Sequence, residues 1–167
     1  LRPSLHMVRP ASRCFSESTN SASRSRTRER STQNRSVHVS IPPLITVFER
    51  GWLSSNNILL HGDDGATLID SSHCLHAEQT IALLRNALRP GETLTTLVNT
   101  HLHSDHCGGN AALLRAFGMR TVIPPGEADA ITQWDEDALS YRATGQRIER
   151  FTHDALLRPG ESLAVGK

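Results

Sequence analysis

From position 44 onward short apolar runs alternate with polar punctuation, whereas the residues before about 36 show almost no apolar period. Leu44-Ile45-Thr46-Val47-Phe48 and Ser55-Asn56-Asn57-Ile58-Leu59-Leu60 read as β-strands joined through Gly51. Asp63-Asp64-Gly65 supplies a tight turn into a third strand, Ala66 to Asp70, which makes a meander. Ala77, Ile81, Leu84 and Leu88 recur at helical spacing, and Arg89-Pro90-Gly91 stops that helix. The β-branched run Leu94 to Thr100 reads as a buried strand. Gly108-Gly109-Asn110 then opens a helix over Ala111 to Phe117, closed by Gly118 before a strand at Arg120 to Ile123. Further on, Glu127 to Trp134 and Asp137 to Arg142 read as helical, and Leu156 to Val165 as a hairpin around Arg158-Pro159-Gly160-Glu161. Alternating strands and helices predict an α/β fold, and 167 residues suit one domain.

Charge divides the chain in two. Residues 1–40 hold eight Arg against Glu17 and Glu29; that surplus of six, set against a whole-chain net of +1, leaves the remainder at −5. The Ser/Arg-rich segment 1–40 cannot bury enough apolar surface to offset chain entropy and is expected to be a disordered leader, with 41–167 as the folded domain. The chain begins at Leu1 rather than Met. An accidental or misplaced start is the first reading of the leader, and an organellar transit peptide the second. An acidic body offers no electrostatic footprint for nucleic acid, so a small-molecule substrate is expected. No apolar stretch approaches membrane-spanning length. Cys14, Cys74 and Cys107 form no CxxC pair, which points to a reducing, cytoplasmic compartment.

Chemistry concentrates at the end of the buried strand, in His101-Leu102-His103-Ser104-Asp105-His106. In an extended segment a period of two puts His101, His103 and Asp105 on one side, with Leu102 and Ser104 facing away. A turn after Asp105 then swings His106 to the same space, and Gly108-Gly109 let the backbone pass close behind. Imidazole and carboxylate donors suit Zn²⁺, and a pair of ions fed by one loop favours hydrolysis by activated water. Cys107 is read as a small buried residue, Trp52 and Trp134 as packing residues, and His61, His73 and His76 match no recognisable site.

The run Asn99-Thr100-His101-Leu102-His103-Ser104-Asp105-His106-Cys107-Gly108-Gly109-Asn110 resembles the HxHxDH signature of the metallo-β-lactamase-fold hydrolases, and Leu68-Ile69-Asp70-Ser71 is similar to that family's first motif. The resemblance spans about residues 44 to 165 and, outside the two motifs, lies in the order of elements. It implies an αββα sandwich, of which this chain is the first half, with the site at one edge between two sheets. By position it implies that His101 and His103 bind one metal and that Asp105 and His106 bind a second. Asp105 also orients or deprotonates the attacking water, and Asp70 supports the loop through hydrogen bonds. Two zinc ions are the implied cofactors of the complete site, and the same donors accept iron or manganese. The implied reaction is hydrolysis of an ester, thioester, lactone or amide. Thioesters and esters rank above β-lactams, because the glyoxalase II-like and lactonase-like branches share the full run.

Family members complete the site with a further His, a bridging Asp and a last His, and the chain stops at Lys167 before such motifs. His153-Asp154 lacks their glycine-flanked strand-end setting and is read as a surface pair. Two protein ligands per metal fall short of the three that a catalytic zinc normally has. Weak metal binding and slow or absent turnover are therefore expected, and a truncated, non-catalytic metal-binding fragment is the alternative reading.

Overall fold

Three antiparallel strands begin the described chain: β1 (Ile45–Phe48), β2 (Asn57–Leu60) and β3 (Ala66–Ile69). The computed structural model describes residues 40–143 and 145–165. The Ser/Arg-rich leader, apart from Ser40, lies outside the described residues. A crossover through a 3₁₀ turn at Cys74–His76 and helix α1 (Ala77–Ala87) returns the chain as β4 (Leu94–Val98), parallel to β3. The short helix α2 (Ser104–Cys107) and helix α3 (Asn110–Phe117) lead to β5 (Arg120–Ile123), again parallel. Helix α4 (Ala128–Gln133) precedes the two-residue strand β6 (Ala155–Leu156), which extends the sheet parallel to β5. Among the described residues, the six strands lie in the sheet in chain order. Among the described residues no helix is long and apolar enough to cross a membrane.

Register explains the core. Leu59 stands opposite Leu68, and Leu68 opposite Leu97, so three fully buried leucines line one face of β2, β3 and β4. Ile81 and Leu84 of α1 and Leu113 of α3 close over them. Each such side chain contributes about 1.5–3 kcal/mol when fully buried. A second cluster, including Leu102, Ile123, Ile131, Tyr141 and Phe151, gathers around β5 and α4.

Two elements and one residue differ from the sequence reading. Residues 137–142 form turns instead of a helix: Ser140 adopts a left-handed φ of 62°, and the Tyr141 and Arg142 N–H groups both reach the Glu136 carbonyl instead of carbonyls four positions back. The expected hairpin over 156–165 is absent among the described residues. Asp154 ties the chain to Thr121 through both its backbone N–H and its carboxylate, which docks Ala155–Leu156 as a parallel strand. Arg158 to Glu161 is only a turn, and Pro159 has no N–H to give a ladder. Trp52 is 89 % exposed, so it is not a packing residue; Trp134 packs against Tyr141 and Phe151.

A pair that spacing did not reveal closes the far side of the sheet. His61 and Glu92 lie 31 positions apart, both side chains buried, with Nδ1 2.8 Å from the carboxylate. The other ring nitrogen of His61 meets the Thr46 hydroxyl at 3.0 Å. Burial acts to raise the Glu92 pKa, but the Arg89 and Gly62 N–H groups and His61 outweigh it, and the carboxyl lies below its ordinary value. The charge on Glu92 therefore stabilises the fold above the ordinary carboxylate range, and that share is lost as pH falls through the lowered pKa. Glu92→Ala is expected to cost about 1–2 kcal/mol at pH 7 and to flatten the acid limb of the stability profile. Urea titrations at pH 7 and pH 4 read both effects; a variant equal to wild type at pH 7 contradicts this role.

Candidate metal centre

Because Ile69 of β3 lies beside Val98 of β4, Asp70 and Asn99 leave the sheet together at the carboxyl ends of parallel strands, the usual place for a site in such sheets. Asp70 is buried and holds a left-handed φ of 58°, a conformation that Asp and Asn tolerate better than most residues. One carboxylate oxygen accepts the Thr100 N–H at 2.9 Å. The other accepts the Thr100 hydroxyl and His106 Nδ1, both at 2.8 Å. In the tautomer that donates Nδ1–H to Asp70, the lone pair of a neutral His106 lies on Nε2. That atom stands 3.6 Å from an oxygen of Asp105.

The three imidazoles gather. The His101 ring centre lies 3.9 Å from that of His106 and 4.8 Å from that of His103. Burial, then the neighbouring His106 and His103, hold the His101 imidazole below its ordinary pKa, which keeps it neutral at pH 7 with a lone pair to share. The route to this cluster differs from the one that spacing predicts. The strand ends at Val98 and the chain bends at Thr100 and His101; His103 has extended dihedrals, and from Ser104 the chain turns into α2, with the Cys107 and Gly108 N–H groups donating to the carbonyls of His103 and Ser104. Asp105 and His106 therefore project from successive helical positions, not from alternate strand positions. The Ser55 N–H holds this turn by donating to the Asp105 carbonyl at 2.8 Å. Leu102 is buried in the core cluster around β5 and α4, as expected, whereas Ser104, although buried, lines the same cavity as His103 and Asp105.

Behind the loop runs a buried polar lattice. The Ser71 hydroxyl donates to Asn110 Oδ1 at 2.6 Å, and the Asn110 amide donates to Asn99 Oδ1 at 2.7 Å. Ser71 N–H and Asn99 Nδ2 both reach the His106 carbonyl. Gly108 and Gly109 make this approach possible. A Cβ at Gly109 would lie 2.4 Å from the Ser71 carbonyl oxygen, and one at Gly108 would lie 2.4 Å from that of Ser104 and 2.6 Å from the Cys74 nitrogen. Thr100 and Tyr141 are contributors that residue spacing gave no reason to select. His73 and His76 meet Ser54 instead of joining the cluster, and Asp154 serves β5.

Cys107 is fully buried, and its sulfur lies 3.1 Å from the Tyr141 hydroxyl. Burial pushes its thiol from 9.0 up to about 12, and burial raises Tyr141 as well. Both groups stay protonated in the fold where the unfolded chain would ionise. The corresponding stability is fully present below about pH 9 and is lost as pH climbs toward 12. Timed alkylation at pH 8 is expected to modify the half-buried Cys74 and to spare Cys107 until the protein unfolds. Equal labelling of the two by mass spectrometry would contradict this.

Among the described residues, no group of three or more His, Cys, Asp or Glu side chains is placed to hold one cation. Division into two pairs, His101 with His103 and Asp105 with His106, needs no such triple. The second pair fits a metal: the 3.6 Å gap exceeds a hydrogen bond and approaches the roughly 3.3 Å between two ligands of a tetrahedral zinc. A histidine nitrogen and an aspartate oxygen are both among the donors that zinc accepts.

The metallo-beta-lactamase superfamily model matches residues 50–165, and the chain belongs to that superfamily. Over 48 residues it is 42 % identical to a hydroxyacylglutathione hydrolase of Hyphomonas neptunium, covering 29 % of this chain and 19 % of that protein. Over 74 residues it is 38 % identical to a hydroxyacylglutathione hydrolase of Rhodopseudomonas palustris, covering 44 % of this chain and 27 % of the relative. A metallo-beta-lactamase of Cronobacter sakazakii with a HARLDQ motif shares the fold at TM-score 0.63 and 21 % identity, over 77 % of this chain and 48 % of that one. The matched segment thus spans about a quarter or less of the curated relatives and about half of the solved chain.

Proposed function

We propose that this chain carries the first half of a metallo-hydrolase site, in which His101 and His103 hold one zinc and Asp105 and His106 a second. The observation that carries this reading is the orientation of His106: Asp70 fixes its Nδ1 at 2.8 Å and leaves Nε2 facing Asp105. A bound cation supplies Lewis acidity and a water acidic enough to attack at neutral pH. Asp105, 35 % exposed, would orient the attacking water and take up its proton on a carboxylate oxygen, while Asp70 and Thr100 keep the imidazoles in place. The substrate is a small molecule with an ester, thioester, lactone or amide carbonyl. The full HxHxDH run and the relatives named as hydroxyacylglutathione hydrolases favour a thioester over a β-lactam. Iron and manganese satisfy the same donors, so metal availability enters the choice.

A second reading, metal binding without turnover, is favoured by one observation: the described residues bring together two donors per cation, where catalytic zinc normally has three. Zinc titration followed by calorimetry, with a thioester, lactone and β-lactam panel, separates the two readings. Turnover that disappears in His103→Ala supports the hydrolase. Zinc uptake with no turnover on any panel member supports the second reading. Zinc affinity and activity untouched by His103→Ala would refute both.

A further inference from the structure

Leu102, the residue between His101 and His103, is held by more partners than a loop peptide needs. Its side chain is fully buried in the cluster around β5 and α4. Its N–H donates to the Glu127 carboxylate at 3.1 Å. Its carbonyl accepts the Tyr141 hydroxyl at 2.8 Å and the Cys107 thiol at 3.3 Å. Tyr141 is 2 % exposed, so this hydroxyl bond lies in a dry environment where a lost partner is costly. Glu127 closes the 3₁₀ turn Pro125–Glu127 before α4, and Tyr141 belongs to the turns that follow α4, so one stretch of chain grips the peptide units on both sides of the Leu102 Cα. Leu139, Tyr141 and Gln146 of that stretch also face His103 and Asp105 across a cavity of about 140 Å³.

The buried side chain anchors Leu102 at one point but leaves the two peptide planes on either side of its Cα free to rock. Rocking the His101–Leu102 plane or the Leu102–His103 plane turns the Cα–Cβ bond of the histidine it joins. The bond to the Leu102 N–H holds the first plane and the bonds to its carbonyl hold the second, as the supporting shell of a metal site must. We infer that Glu127 and Tyr141 are positioning residues, which fix the His101-Leu102-His103 peptide so that both imidazoles meet one cation. The segment 124–146 thereby sets metal affinity without touching the metal. This inference rests on the metal-centre reading above.

Tyr141→Phe keeps the ring and removes only the hydroxyl; Glu127→Ala, at a half-buried position, removes the other partner. Zinc affinity is measured by competition with a chromophoric chelator, and amide hydrogen exchange of residues 101–107 is measured on the metal-free chain. Each variant is expected to bind zinc roughly 10- to 100-fold more weakly, the range for lost supporting partners. Exchange in the loop should rise by about tenfold while the Leu68 and Leu97 amides of the sheet stay protected. Unchanged zinc affinity and loop exchange in both variants overturns the inference, as does an equal rise in the sheet, which marks general loosening. If Tyr141→Phe does not fold, Glu127→Ala is read alone by the same criteria. A wild-type chain that takes up no zinc, with loop exchange still rising in the variants, supports the clamp and overturns the metal-centre reading.

Discussion

Asp70→Asn is expected to weaken zinc binding by roughly 10- to 100-fold while leaving the backbone in place. Asn tolerates the φ of 58° and has nearly the same shape, so the effect is electronic. His106 Nδ1 now gives its proton to a carboxylate oxygen at 2.8 Å. An amide whose remaining oxygen is engaged by Thr100 presents N–H there instead. The imidazole then shifts its proton to Nε2, the nitrogen that faces Asp105 and would bind metal. Nitrogen-15 spectra of the metal-free chain report the tautomer, and a chelator competition reports the affinity. Asp70→Ala should cost about 3 kcal/mol of folding stability as well, because it orphans the Thr100 and His106 donors and places alanine in the left-handed region. Zinc affinity within twofold of wild type in Asp70→Asn would end this account of Asp70.

Gly109→Ala is expected to be the more damaging change to the fold itself. Its new methyl would lie 2.4 Å from the Ser71 carbonyl oxygen, and the obstacle is backbone, which cannot rotate aside. Relief requires α3 to move away from the strand that carries Asp70. That motion parts Ser71 from the Gly109 N–H and from Asn110. The cost is about 3 kcal/mol or more, a large part of the 5–15 kcal/mol that holds an ordinary domain. A drop of several degrees in Tm with loss of soluble protein is the expected result. A melting curve that overlays wild type would show that this contact relaxes at little cost.

Strands β1 to β5 and helices α1 and α3 were legible because their signals are local. Apolar residues recur at period two or at helical spacing, and Gly or Pro punctuates the ends, as where Gly118 closes α3 with a φ of 64°. The cluster was legible as composition, and the Gly108-Gly109 passage as chemistry. The posture of the loop was not, because its causes lie elsewhere in the chain. Ser55 holds the α2 turn through the Asp105 carbonyl, and no periodicity within 101–106 reports a donor some fifty positions earlier. Tyr141 reaches Leu102 across 39 positions, and His61 reaches Glu92 across 31. Residues 137–142 carried helical composition, but Ser140 turns left-handed at a φ of 62° and the Tyr141 N–H bonds to the Glu136 carbonyl five positions back, which breaks the helical ladder.

Strands that lie in the sheet in the order of synthesis give the chain a direction of growth. Each described strand leaving the ribosome finds its partner already present at the open edge, so among the described strands no pairing waits for a later segment and loop-closure costs stay low. Asp70 and its lattice partners Asn99 and Asn110 all lie within the first two-thirds of the chain, so the cradle of the cluster is able to form before residues 124–146 emerge. The histidines are thus gathered early, and the grip on Leu102 arrives last.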